Sequence, residues 1–147
     1  MKNTLSTVLK KQGYHKIFLR NNGAGHFKLN IKVNGKAGNF ILDTGASHTV
    51  IDEAASGKFL LKFSKKASKD AGGLGNSALK TRKSTGNMID LKGFQIKKTV
   101  LISIDLSHVN NTLKKNGSAI IDGVIDADIL KKHKALIDYS EKALYLK

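Results

Sequence analysis

The residues Phe27-Lys28-Leu29-Asn30-Ile31-Lys32-Val33 alternate apolar and polar side chains, the period of a strand with one buried face. Asn34-Gly35 follows at once, a dipeptide that tolerates the positive φ required at both centres of a two-residue type I′ turn. Lys36 to Leu42 then returns as the partner strand and ends in the apolar run Phe40-Ile41-Leu42. A tight hairpin is therefore expected over residues 27–42, and its second strand runs directly into Asp43-Thr44-Gly45-Ala46-Ser47.

The rest of the chain reads as more short strands. Thr49-Val50-Ile51 is a strand, and Glu53 to Leu61 a short helix weakened by Gly57. Between Ser64 and Gly86 the composition shifts to Lys, Ser and Gly, an exposed excursion outside the core with Gly72-Gly73-Leu74-Gly75 at its middle. Met88 to Leu91 and Phe94 to Ile104 read as strands, with Val100, Ile102 and Ile104 on one face. Leu106, Val109 and Leu113 have helical spacing, with Ser107 as the cap and Gly117 as the stop. Ala119 to Ile125 is strand-like and Asp128 to His133 a short helix. Ala135 to Tyr139 and Ala143 to Leu146 make a terminal hairpin around Ser140-Glu141-Lys142. Ile120, Val124, Leu130 and Ile137 read as core. Many short strands, two or three short helices and no internal repeat make the fold mainly β, in one domain.

A length of 147 residues suits one domain with a core large enough to need no staple. None is available, because the absence of Cys removes disulfides, a thiol nucleophile and Cys-ligated zinc. Lys and Arg number 26 against 11 Asp and Glu, a net charge of +15, which favours anionic partners and weakens with salt. The basic pairs Lys10-Lys11, Lys65-Lys66, Lys97-Lys98, Lys114-Lys115 and Lys131-Lys132 are spread along the whole chain, the pattern of a solvated surface. Few aromatics stand among them, which argues against a nucleic-acid stacking platform. No apolar run approaches the ~18 residues of a membrane span, and MKNTLSTVLKKQGYHK contains no apolar signal region. A cytoplasmic protein without a membrane partner is the default.

The chemistry centres on Asp43. An apolar strand delivers its carboxylate into a turn of small residues, where the Gly45 N–H can approach it and Thr44 offers a hydroxyl. One such carboxylate is an ordinary ionised acid. Two facing each other cannot both ionise; they share a proton and become one base and one acid around a single water. Only one Asp-Thr-Gly occurs in the chain, so the second carboxylate has to come from another copy across a twofold axis. The expected partner is therefore a second copy of this chain, in a homodimer.

Asp43-Thr44-Gly45-Ala46-Ser47 resembles the active-site motif of the retropepsin-like aspartic proteases, the single-domain class with one motif per chain. Leu106-Ser107-His108-Val109-Asn110, Ile121-Asp122-Gly123-Val124-Ile125 and Lys134-Ala135-Leu136-Ile137-Asp138-Tyr139 resemble further segments of a bacterial group in that class, in the same order. The resemblance runs from about Gly13 to the C-terminus and divides the chain into an N-terminal extension, 1–12, and a protease domain, 13–147. It implies closed or orthogonal β-barrel-like sheets with one or two short helices, and an aspartic endopeptidase that needs no metal or other cofactor. By the same resemblance Asp43 is the catalytic carboxylate, Thr44 bonds across the dimer, and Gly45 and Ala46 support the site. Gly72, Gly73, Leu74 and Gly75 would form the tip of a flap closing over an extended peptide or protein substrate.

One residue departs from the family pattern. Asp126 follows Val124-Ile125 where the family carries Gly. Either it caps the helix that follows, the reading we favour, or it sets an extra carboxylate near the pair and impairs catalysis, leaving a peptide-binding module. A basic nucleic-acid-binding protein is a third reading. Ser47-His48 invites a nucleophile and base, but neighbours on a strand point to opposite faces. The histidines, His15, His26, His48, His108 and His133, form no metal-binding pair. Asp122, Asp126 and Asp128 alternate as in a calcium loop, yet Ala127 and His133 occupy the positions that need Gly and Glu.

Overall fold

The computed structural model describes residues 4–64 and 81–147. In chain order the elements are helix α1 (Leu5–Lys11), strands β1 (His15–Phe18), β2 (Arg20–Asn21), β3 (Phe27–Val33), β4 (Lys36–Leu42) and β5 (Val50–Asp52), a 3-10 turn (Glu53–Ala55), β6 (Arg82–Leu91), β7 (Phe94–Ile104), α2 (Ser107–Lys115), β8 (Gly123–Ile125), α3 (Ala127–Lys132), β9 (Leu136–Asp138) and β10 (Ala143–Leu146). The larger sheet runs β2-β3-β4-β8-β5-β7-β6, and β6 also pairs with β3, so the strands from β3 round to β6 close a six-stranded barrel. The smaller sheet has the order β1-β10-β9. Among the described residues no helix is long and apolar enough to cross a membrane.

The β3–β4 hairpin has the register Val33↔Lys36, and Asn34 and Gly35 take φ of 50° and 82°, the two-residue turn expected from Asn-Gly. Asn34 also holds the barrel's closing seam. Its amide donates to the carbonyl of Phe59 and to Asn87 Oδ1, and its Oδ1 accepts from the Met88 N–H at 3.0 Å. Inside the barrel Phe40, Phe59, Ile51, Leu101 and Ile125 are fully buried. They join Ile17, Leu144 and Leu146 from the smaller sheet in one cluster. On the outer face of β4, β8 and β5, a second cluster of Ile41, Leu106, Leu113 and Ile121 packs with Val50, Ile104 and Val124 under α2.

β4 and β8 run parallel, with Phe40↔Gly123, Ile41↔Val124 and Leu42↔Ile125 opposite one another. On its other side β8 pairs antiparallel with β5. Gly123 is squeezed between these neighbours: a Cβ there would strike the Phe40 ring and lie 2.5 Å from the Val50 carbonyl oxygen.

Several elements differ from the sequence reading. α1 was not expected. Thr4 caps it through its side chain, and Leu9 anchors it against Ala143 and Tyr145. The helix expected over Glu53–Leu61 is a single 3-10 turn followed by turns, and Leu60 takes φ +57°, which no helix continues through. β6 already begins at Arg82, inside the stretch read as an excursion. Val100, Ile102 and Ile104 do share a face, but it is the outer one; Thr99, Leu101 and Ser103 face the barrel. Lys97 and Lys98 are both exposed, and Lys98 has φ +55°, so the alternation slips by one residue there.

α2 starts without a side-chain cap. Ser107 is its first residue, and its N–H donates to Asp105 Oδ1. The helix does stop at Gly117: the N–H groups of Gly117 and Ser118 return to the carbonyls of Lys114 and Leu113, a Schellman ending. Only Gly123–Ile125 of the expected 119–125 strand is paired. Of the residues read as core, Leu130 is buried, Val124 and Ile137 are partly so, and Ile120 is 44% exposed.

Gly123→Ala is expected to destabilise the fold by about 2–3 kcal/mol through overpacking against backbone and a buried ring. A urea titration checks this; an unchanged midpoint would show that the strands can spread.

Candidate active site

The turn after β4 is held at both ends by the segment after β8. The Asp43 N–H donates to the Ile125 carbonyl at 3.0 Å, extending the parallel ladder by one residue. The Ala127 N–H donates to the Ala46 carbonyl at 2.9 Å. Between these clamps Asp43, Thr44 and Gly45 are exposed and Ala46 is half-buried. The Gly45 N–H donates to Asp43 Oδ1 at 2.8 Å, and a Cβ on Gly45 would stand only 3.3 Å from that oxygen. The Thr44 hydroxyl has no hydrogen-bond partner among the described residues. Gly72, Gly73, Leu74 and Gly75 lie outside the described residues.

A cleft of about 550 Å³ opens beside Asp43 and Thr44, walled by Asn21, Gly23, Gly25, His26, Phe27, Leu42, Ile137 and Tyr139. Tyr139 is 75% exposed, and its ring rests on Phe27 at 5.1 Å between centroids. A shallower groove adjoins the cleft at Thr44 and Ile137 and continues along Leu130, Lys131 and Lys134. Apart from Asp43 and Thr44, these lining residues escaped the reading of the motif. They come from β2, β3 and the loop between them, from the end of β4, and from the stretch running from α3 through β9 to Tyr139, and no short spacing connects them.

Behind the turn lies a polar cluster that the sequence did not reveal as such. Thr49 donates to Asp128 Oδ1 through both its N–H, at 3.1 Å, and its hydroxyl, at 2.7 Å. The same hydroxyl accepts from the Asp126 N–H at 3.1 Å. Asp122 Oδ2 accepts from the Asn39 N–H and from Lys58. Asp122 and Asp128 thus brace different strands, and among the described residues no three His, Asp or Glu side chains converge on a metal position.

Asp126 corrects the capping expectation. It occupies the N-cap position of α3, but its side chain makes no capping bond. The residue is only 2% exposed, and among the described residues Oδ1 has no hydrogen-bond partner. Burial, then the negative charges of Asp43 and Asp128, push its carboxyl up to about 7. Below that pH it is a neutral acid; above it, an additional anion beside Asp43.

A second correction concerns Ser47 and His48, whose Oγ and Nδ1 lie 2.9 Å apart. These residues sit in a bend ahead of β5, so the opposite-face rule for strands does not apply to them. The pair is exposed, and among the described residues no carboxylate hydrogen-bonds to the His48 ring to orient it as a base.

Comparison with known proteins agrees with this geometry. The sequence profile of the aspartyl protease family matches residues 29–127, which include Asp43-Thr44-Gly45 and end just beyond Asp126. No curated protein matches the sequence. Among solved structures, a retropepsin-like aspartic protease from Rickettsia conorii superposes with TM-score 0.61 at 22% identity, covering 90% of this chain and 91% of that one. The retroviral protease-like domain of Ddi1 from Leishmania major gives TM-score 0.57 at 16% identity, over 82% and 86% of the two chains. The EIAV protease, in complex with the inhibitor HBY-793, gives 0.53 at 22% identity, over 77% and 92%. Sequence profile and barrel together establish that this chain belongs to the aspartyl protease family and has the retropepsin-like fold.

Proposed function

We propose that the protein is an aspartic endopeptidase, active as a homodimer in which Asp43 of each copy contributes one carboxylate. The observation that carries this reading is the exposed Asp43-Thr44-Gly45 turn. Its carboxylate is already supported by the Gly45 N–H, while the Thr44 hydroxyl has no partner among the described residues. A twofold axis beside this turn would bring the two acids together and let the Thr44 hydroxyls bond across it. The paired acids share one proton. The ionised member takes a proton from the attacking water, and the protonated member polarises the peptide carbonyl; proton return to the nitrogen then releases the amine.

The substrate would lie extended in the cleft, held by strand-like backbone hydrogen bonds, with its side chains against Phe27, Ile137 and Tyr139. Gly72, Gly73, Leu74 and Gly75 keep the role of flap on the family resemblance alone. The buried Asp126 favours a second reading, a peptide-binding module whose pair is disabled. Cleavage gained only on Asp126→Gly would select that reading.

Asp43→Asn is expected to lower peptide cleavage by about 10³-fold or more, with the circular dichroism spectrum unchanged. Full activity in this variant, measured on a diverse peptide pool, would remove Asp43 from the mechanism. Sedimentation in the presence of a statine-type transition-state mimic should show a dimer. Monomers at saturating mimic would exclude the shared site.

A further inference from the structure

Asp126 lies between the two backbone clamps that hold the catalytic turn. The residue before it, Ile125, accepts from the Asp43 N–H, and the residue after it, Ala127, donates to the Ala46 carbonyl. Parallel pairing continues from Leu42↔Ile125, so Asp126 stands beside Asp43 on the neighbouring strand. Its own N–H is tied to Thr49, and Thr49 is tied in turn to Asp128. Any movement of residue 126 is therefore felt at both ends of the turn.

The site of this carboxyl suits only its neutral form. Asp126 is almost fully buried and, among the described residues, one of its oxygens lacks a hydrogen bond, an arrangement that is costly for an anion. The groups facing it do not offset that cost. Asp43 from the turn after β4 and Asp128 from α3 both oppose its ionisation. From the approach to β5 the uncharged Thr49 hydroxyl bonds the Asp126 backbone N–H, while His48 directs Nδ1 to Ser47.

We propose that Asp126 is a proton-dependent positioning residue: as the neutral acid it keeps the Asp43–Ala46 turn seated on β8, and when ionised it repels Asp43 and unseats the turn. The proposal rests on the protease reading and adds to it a regulator built into each half of the site. Protonation of Asp126 near neutral pH sets the direction: active below the transition, inactive above it. The acid touches no substrate; it acts through the two clamps.

The test compares wild type with Asp126→Asn, and with Asp126→Gly in case the amide packs poorly. Between pH 6 and pH 8 the wild-type kcat/KM should fall about sixfold if one protonated copy suffices and about a hundredfold if both are needed. Both variants should lose this step. Nitrogen-15 NMR of the Asp43, Gly45, Ala46 and Ala127 amides supplies a readout that does not depend on cleavage; these signals should titrate near neutral pH in the wild type only. Identical pH profiles in wild type and variants would overturn the proposal while leaving the protease reading intact. If none of the proteins cleaves any peptide at any pH, the protease reading fails and the amides decide. A turn that titrates through Asp126 then upholds the coupling, and a turn that does not overturns it.

Discussion

The parallel pairing of β4 with β8 is the contact on which the rest of the site depends. It joins two segments far apart in sequence, Phe40–Leu42 and Gly123–Ile125, and it can form only because Gly123 leaves room for the Phe40 ring and the β5 backbone. The ladder runs on past the strand ends, so the backbone bonds of Ile125 and Ala127 position the Asp43–Ala46 turn. The Asp43 carboxylate on its exposed turn is thus held by the scaffold's own hydrogen bonds, and few side chains are needed to place it.

The same arrangement puts unlike environments within one residue of each other. Asp43 is exposed at the mouth of the cleft, where its carboxylate is supported by a backbone N–H. Asp126, directly behind it, is closed off by the strands and by α3. Burial and the neighbouring negative charges therefore push the Asp126 carboxyl toward its neutral form. Asp128 completes the contrast. It is satisfied by two bonds from Thr49 and serves as a brace.

What could be read in advance followed how locally each signal acts. The β3–β4 hairpin was legible because period-two alternation and Asn-Gly chemistry operate within a few residues. The end of α2 was legible because Gly117 takes φ +73°, a conformation with little steric cost only for glycine. The failures came where distant packing overrides local preference. α1 is short and weakly apolar, and it exists because Leu9 finds Tyr145 at the far end of the chain. The phase of β7 reversed at the Lys97-Lys98 irregularity. Ile120 is apolar yet exposed, because the chain around it forms an irregular approach to β8.

The residues alone determined the hairpin, the mainly β character and the Asp43-Thr44-Gly45 turn, since side-chain period and backbone sterics act between near neighbours. The family resemblance they carry puts Asp126 in a glycine's place. They left its role open, between a harmless cap and an acid beside the pair, because the charge preference of a carboxyl depends on what encloses it. Only the closed barrel decided those surroundings. By laying β8 against β4, it removed Asp126 from water and set it next to Asp43, and in that low-dielectric position the neutral acid is favoured.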